Sequence, residues 1–158
     1  MTKNLDKEGL SSIVDNYNLF YIDLWGVVHN GVNLYQSAID TLKEISKKKK
    51  DYVLLTNAPR PNSTVKNFLK KMGMDKEISD NVFTSGEAAL NYLNKNYFDK
   101  KFYHIGPPRD FDLFKSFEKM KLNNIENSEY ILCTGLFDKH DNDLNYYKKL
   151  FEKSLKKK

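Results

Sequence analysis

The sequence contains 158 residues, which is enough for one domain of ordinary size or for one and a half small ones. Its apolar content of 40% and aromatic content of 13% predict a packed core and exclude a disordered chain. The net charge of +5 does not indicate nucleic-acid binding, because lysine runs occur only at residues 47–50 and 156–158, at predicted helix ends where cations complement the helix dipole.

Strands and helices are predicted to alternate along the whole chain. In order, the predicted elements are strand 19–24, helix 36–48, strand 52–56, a proline-bounded loop at 57–61, helix 63–72, strand 82–83, a helix opened by a capping box at 84–87, strand 101–105, a helix capped by Asp110, strand 130–133 and a last amphipathic helix with Leu144, Tyr147, Phe151 and Leu155 in its stripe. This βαβα pattern predicts an α/β fold with a mainly parallel sheet.

Two details of this pattern bear on packing. The strand at 19–24 is a continuous apolar run, which is typical of a parallel strand covered on both faces. The helix that follows Asp110 is predicted to carry Phe111, Phe114, Phe117 and, near its end, Met120. The polar, turn-rich segment 94–100 predicts a domain junction, with residues 1–98 in one domain and 99–158 in the other.

The functional prediction rests on two strand ends. Asp23 lies at the end of the first apolar strand, and Thr56 lies at the end of the second. Parallel strands present their carboxyl ends at one edge of the sheet, where α/β enzymes bind ligands. There an ionised Asp could attack a phosphoryl group, while a hydroxyl binds the phosphate oxygens. Each residue alone could equally be an ordinary turn residue, but the pair favours phosphoryl transfer.

The loops after these strands resemble a known family. Residues 23–31, Asp-Leu-Trp-Gly-Val-Val-His-Asn-Gly, resemble the first motif of the haloacid dehalogenase superfamily, and residues 55–60, Leu-Thr-Asn-Ala-Pro-Arg, resemble the second. Residues 83–87 are similar to the stretch that follows in the class IIA branch, which includes 4-nitrophenylphosphatase and sugar-phosphate phosphatases. The Asp-x-Trp-Gly-Val-x-His pattern resembles one subgroup of that branch.

The resemblance implies a Rossmann-like core with an α/β cap of the C2 type. Asp23 would be the nucleophile and a Mg²⁺ ligand, with a second contact from the backbone carbonyl of Trp25. Thr56 would bind the substrate phosphate, with Asn57 beside it. Residues 1–98 would be the N-terminal part of the core, and residues 99–158 part of the cap. The substrate would be a small phosphorylated metabolite.

The sequence departs from the family pattern at two places. Trp25 stands where the family has an Asp that acts as general acid and base, and an indole does not transfer protons near neutral pH. His29 could replace it as the proton carrier, or it could be a loop histidine bonded to the backbone. The family's later Lys and distal acidic motif are not found after residue 60. These absences predict a truncated chain with weak activity or none.

Two other functions stay open at this point. A catalytically dead module could use the same loops to bind a phosphorylated metabolite or a protein, and the same Asp could instead displace a halide. A partial sheet with an open edge predicts low solubility or a homo-oligomer. No apolar run is long enough to span a membrane, the N-terminus has no secretory pattern, and a lone Cys133 excludes internal disulfides. Together these features predict a cytoplasmic protein.

Overall fold

The structure is a computed structural model and describes residues 5–155, so the basic run at 156–158 lies outside the described residues. The chain forms two compact units. The first contains the described residues up to Ala58 together with Asn62–Thr84, and the second contains Pro59–Pro61 and the described residues from Ser85 onward. Within residues 5–155, no helix is long and apolar enough to cross a membrane.

The first unit is a three-stranded parallel sheet with helices. Its elements are helix α1 (Leu5–Glu8), two short 3₁₀ turns (Leu10–Ser12 and Val14–Asn16), strand β1 (Leu19–Asp23), helix α2 (Gln36–Lys47), strand β2 (Asp51–Thr56), helix α3 (Asn62–Lys71), helix α4 (Lys76–Ser79) and strand β3 (Val82–Thr84). The strand order is β1-β2-β3. The predicted strands and the two predicted helices of this region are confirmed, whereas α4 is too short to give a helical pattern.

The helices of the first unit cover one face of this sheet. Ile39, Leu42 and Ile45 of α2 are buried, as predicted, and they share a core cluster with Leu54 of β2. On the opposite face Tyr21 of β1 remains 69% exposed. The prediction that both faces of β1 would be covered is therefore wrong, because the buried apolar side chains of α2, α3 and α4 all belong to a single cluster.

The second unit is also built on a parallel sheet. Its elements are helix α5 (Ser85–Asn96), strand β4 (Phe102–Ile105), a 3₁₀ segment (Pro108–Met120), strand β5 (Lys121–Leu122), strand β6 (Tyr130–Cys133) and helix α6 (Leu144–Leu155). The strand order is β5-β4-β6. Phe102 of β4 lies at the centre of an aromatic core with Phe114 and Tyr130, at ring-centroid distances of 5.3 and 5.5 Å. In α6 only Tyr147 of the predicted apolar stripe is buried.

The segment after β4 differs from the prediction. It forms 3₁₀ turns from Pro108 to Met120, interrupted at Phe114 and Phe117, whose backbone angles are not helical. Asp110 does not cap this segment. Its carboxylate is buried and pairs with Arg60 at 3.5 Å, so the side chain is held by an ion pair instead of by a helix end.

Candidate active site

The candidate nucleophile and the candidate phosphate-binding hydroxyl lie at neighbouring strand ends. Strands β1 and β2 pair in parallel register, with Asp23 opposite Leu55, the residue before Thr56. Adjacent strands lie about 4.8 Å apart, so the two side chains start from adjacent points on one sheet edge. The Asp23 Oδ1 atom accepts a hydrogen bond from the Leu24 N–H at 2.8 Å, which leaves Oδ2 for other partners.

Thr56 keeps a donor available. Its Oγ1 accepts a hydrogen bond from the Ala58 N–H at 3.3 Å, so the hydroxyl hydrogen can still be donated to another oxygen. The next residue, Asn57, is exposed at the start of the loop. Thr56 is also paired across the sheet with Thr84, the last residue of β3. Three parallel strands therefore end at this edge, with Asp23, Thr56 and Thr84 as their last residues.

A compact turn follows Asp23. The buried Leu24 contributes its carbonyl to hydrogen bonds from the N–H groups of Val28 and His29, at 2.9 and 3.2 Å. The Gly26 N–H donates to the His29 carbonyl at 2.8 Å, and Gly26 has a φ of +76°, a left-handed conformation that favours glycine. The hydrogen bonds that close this turn are accepted by the carbonyls of Leu24 and His29, and not by the carbonyl of Trp25.

His29 is fixed inside the loop. Its side chain is only 5% exposed, and its Nδ1 accepts a hydrogen bond from the Gly31 N–H at 2.9 Å. The neutral ring must therefore carry its proton on Nε2. Burial lowers the pKa of His29 below its ordinary value, and the nearby Asp23 carboxylate opposes that shift in part. Its ring meets the rings of Trp25 and Phe68 edge to face, at centroid distances of 5.7 and 5.8 Å.

Two contacts of this site are not among the sequence predictions. The Asn62 side chain at the start of α3 accepts a hydrogen bond from the Thr84 N–H at 2.9 Å, which ties that helix to the end of β3. The indole of Trp25 lies over Gly31, since a Cβ at Gly31 would be 2.6 Å from Trp25 Cζ3. The structure thus brings Trp25, His29 and Gly31 together, and it places Asp23 and Thr56 at neighbouring strand ends.

The oxygens of this edge match the needs of Mg²⁺, which prefers oxygen ligands and commonly takes one or two carboxylates, substrate phosphate and water. Asp23 Oδ2 and the Trp25 carbonyl are oxygens of the right kind. Within residues 5–155 there is no group of three or more His, Cys, Asp or Glu residues that could hold a metal ion. The described residues therefore fit a magnesium ion that keeps several waters, and not a closed protein cage.

The second unit buries a histidine that no sequence pattern singles out. His104 is 4% exposed, and its Nε2 lies 2.9 Å from the Thr134 hydroxyl. Burial, followed by the charge of Lys121, lowers the pKa of His104 to about 4, while Asp110 opposes the shift. This ring is therefore neutral at physiological pH.

Comparison with known proteins gives the family. A family model described as haloacid dehalogenase-like hydrolase matches residues 20–119, which is more than half of the chain and includes both motifs. The chain belongs to the haloacid dehalogenase-like hydrolases. Phosphoglycolate phosphatase 2 of Arabidopsis thaliana is 31% identical over 105 residues, covering 65% of this chain and 35% of that protein.

Solved structures of this family share the fold. A haloacid dehalogenase-like hydrolase from Brucella suis has a TM-score of 0.76 and 27% identity, covering 93% of this chain and 53% of its own. A 4-nitrophenylphosphatase from Thermotoga maritima has a TM-score of 0.61 and 22% identity, with coverages of 90% and 51%. A glycerol phosphate phosphatase from Mycobacterium tuberculosis, solved with magnesium, has a TM-score of 0.56 and 19% identity, with coverages of 77% and 37%.

These comparisons confirm the predicted family and the predicted α/β fold. This haloacid dehalogenase-like chain spans about half the length of the Brucella and Thermotoga structures and about a third of the Arabidopsis relative.

Proposed function

We propose that this chain carries the phosphoryl-transfer edge of a magnesium-dependent phosphomonoesterase, with Asp23 as its nucleophile. The observation that supports the proposal is the parallel pairing that puts Asp23 and Thr56 at neighbouring strand ends. Relatives named as phosphatases of phosphoglycolate and of 4-nitrophenyl phosphate support a small phosphomonoester as the substrate class. The partner is therefore a small phosphorylated metabolite.

The chemistry follows from the two side chains. The free carboxylate oxygen of Asp23 attacks phosphorus, the ester P–O bond breaks, and water then hydrolyses the aspartyl phosphate to release inorganic phosphate. The Thr56 hydroxyl, which already accepts the Ala58 N–H, donates its hydrogen to a phosphate oxygen. The Asn57 amide is a second candidate donor for the same group.

Asp23 Oδ2 and the Trp25 backbone carbonyl are the proposed magnesium ligands. When bound, the ion neutralises charge on the phosphate and on the attacking carboxylate. Because Asp23 is the one carboxylate among these proposed ligands, we expect weak magnesium binding and low turnover. Three other expectations stay predictions. They are the division into a core at residues 1–98 and a cap at residues 99–158, the cytoplasmic location, and the formation of a homo-oligomer.

The test is hydrolysis of 4-nitrophenyl phosphate in the presence of Mg²⁺. Asp23→Asn keeps the size of the side chain and removes the nucleophile, so we expect it to abolish turnover. Asp40→Asn is a matched control, because Asp40 is an exposed carboxylate on α2. Activity that persists in Asp23→Asn at the level of Asp40→Asn would show that this site is not the phosphatase centre.

The two roles predicted for His29 can be separated by two variants. His29→Asn keeps an acceptor for the Gly31 N–H but cannot exchange protons, whereas His29→Ala removes both. A proton carrier predicts that both variants lose about 10²–10⁴-fold in kcat. A loop-fixing role, which the bond to Gly31 supports, predicts that His29→Asn retains most of the activity and that only His29→Ala loses it.

A binding module is the second candidate function. The observation that favours it is Trp25, an aromatic residue at the position where the family's general acid would stand. This function predicts saturable binding of inorganic phosphate or a phosphomonoester by calorimetry, without release of phosphate over hours. It also predicts that Thr56→Val weakens this binding, and that no variant of the site changes the rate of phosphate release.

A further inference from the structure

The indole of Trp25 is both exposed and held in place. The side chain is 66% exposed. On one side its benzene ring lies over Gly31, where an added Cβ would be 2.6 and 2.7 Å from Cζ3 and Cη2. On another side it meets the His29 ring edge to face, with an angle of 87° between the planes. His29 is in turn fixed by the Gly31 N–H and by Phe68.

Exposure alone does not distinguish Trp25, since Tyr21 on the sheet face is exposed to the same degree. Trp25 differs in packing against Gly31 and the His29 ring, and in lying two residues after the candidate nucleophile. A rigid aromatic surface loses little conformational freedom when a planar group stacks on it. The indole therefore offers a flat surface on which a ring can stack, in the turn that follows Asp23.

The supply of protons near Asp23 also bears on which leaving group this site can release. Asp23 is the only carboxylate between residues 16 and 39, and as the nucleophile it cannot also protonate the leaving group. His29 is buried, and one of its ring nitrogens is used by Gly31. A leaving group that is stable as an anion needs no proton from this loop. A phenol, like a tyrosine side chain with a pKa of about 10, is stable as an anion, whereas an alcohol, whose pKa is much higher, is not.

We propose that Trp25 is a specificity-determining residue that selects aryl phosphate monoesters, whose ring stacks on the indole and whose phenolate leaves without a proton. The inference rests on the proposed function of Asp23. A bond forms between the Asp23 carboxylate oxygen and phosphorus, and the P–O(aryl) bond breaks with its electron pair on the aryl oxygen. The phenolate takes a proton from solvent, and water releases inorganic phosphate from Asp23.

Four substrates separate the ring from the leaving group. Phenyl phosphate has both a ring and a stable anion, benzyl phosphate has only the ring, acetyl phosphate has only the stable anion, and ethyl phosphate has neither. With Mg²⁺ present, we expect kcat/KM to be higher for phenyl phosphate than for benzyl and ethyl phosphate. Trp25→Leu should raise KM about two- to tenfold for phenyl and benzyl phosphate only, the loss of one aromatic contact. Trp25→Asp should raise kcat for benzyl and ethyl phosphate.

A binding measurement gives a readout that does not need turnover. Trp25 is the only tryptophan of the chain, so intrinsic fluorescence reports on it alone. In Asp23→Asn with Mg²⁺, phenyl phosphate should change the emission saturably, and ethyl phosphate and inorganic phosphate should not. Calorimetry should show two- to tenfold weaker phenyl phosphate binding in Asp23→Asn/Trp25→Leu, and no change when Tyr21→Leu, the control, is added to Asp23→Asn.

The outcomes distinguish the two proposals. If Asp23→Asn hydrolyses all four substrates as well as the wild type does, the proposed function fails. If Asp23→Asn is inactive but Trp25→Leu affects phenyl and ethyl phosphate equally, the role of Trp25 fails while the function of Asp23 stands. Phenyl phosphate binding that leaves the emission unchanged, or no saturable binding of phenyl phosphate at all, also overturns the role of Trp25.

Discussion

Gly31 and Gly73 share a backbone φ of +91° but differ in their surroundings. A Cβ at Gly31 would lie 2.6 Å from Trp25 Cζ3, whereas a Cβ at Gly73 would meet nothing within 4 Å. At either position, an alanine in the left-handed region costs about 1–2 kcal/mol. Comparing Gly31→Ala with Gly73→Ala therefore separates backbone strain, which both variants share, from the contact with Trp25.

Gly31→Ala is expected to destabilise the protein more than Gly73→Ala does. Because Trp25 is 66% exposed, its indole can swing outward when the new methyl group appears, and it then loses the edge-to-face contact with His29. Such aromatic contacts contribute about 0.5–1.5 kcal/mol. We therefore expect a loss of about 2–3 kcal/mol for Gly31→Ala and about 1–2 kcal/mol for Gly73→Ala.

Urea unfolding followed by circular dichroism measures both losses. The fluorescence of the folded variants gives an independent check, since Trp25 is the sole tryptophan. Its emission should shift in Gly31→Ala and stay as in the wild type in Gly73→Ala. Equal losses of stability together with unchanged emission in both variants would refute the packing of Trp25 on Gly31.

Three further predictions concern packing and pH. Gly86→Ala should lower the melting temperature although alanine is the better helix residue, because its Cβ would collide with the Arg60 backbone; a higher melting temperature contradicts this. His104 is neutral when folded, with a pKa of about 4, so the unfolded chain binds the proton first as pH falls below 6.5. Between pH 7 and 4.5 this difference in proton binding lowers the free energy of unfolding by about 2 kcal/mol. If the free energy of unfolding of His104→Asn, measured with urea, falls with pH as steeply as that of the wild type, this role of His104 is contradicted. Asn62→Ala should lower the free energy of unfolding by about 1–2 kcal/mol and speed hydrogen exchange at the Thr84 amide. Unchanged protection of that amide would disprove its hydrogen bond to Asn62.

Helical period and strand ends are readable from the sequence. The apolar spacing of Ile39, Leu42 and Ile45 predicts the buried face of α2, and the structure buries all three. The sequence also predicts that Asp23 and Thr56 lie together, because parallel strands leave their carboxyl ends at one edge. These predictions succeed because they depend on local pattern and on one rule of sheet geometry.

The 3₁₀ segment could have been predicted by a closer count of its spacing. Phe111, Phe114, Phe117 and Met120 recur at every third residue, which matches three residues per turn and not 3.6. The sequence assigns Asp110 to a helix cap because capping is a local rule, whereas its ion pair with Arg60 joins residues far apart in sequence. Local rules carry no information about such a partner.

Other features depend on packing that no pattern encodes. A continuous apolar strand predicts burial, yet it does not tell which face the available helices will cover, and Tyr21 stays exposed. The contact of Trp25 with Gly31 and the bond from the Gly31 N–H to His29 arise from the path of a single loop. The two glycines of that loop are the available signal, since they mark places where the backbone turns or another group approaches closely.

The parallel register of β1 and β2 has a consequence for synthesis on the ribosome. Asp23 pairs opposite Leu55, so the strand that bears the candidate nucleophile has no partner until about 30 further residues have been made. At about 5–20 residues per second, that interval is about 2–6 seconds. During this time the apolar strand must stay unpaired in the nascent chain, and any slowing of translation between codons 24 and 56 lengthens its exposure to misfolding.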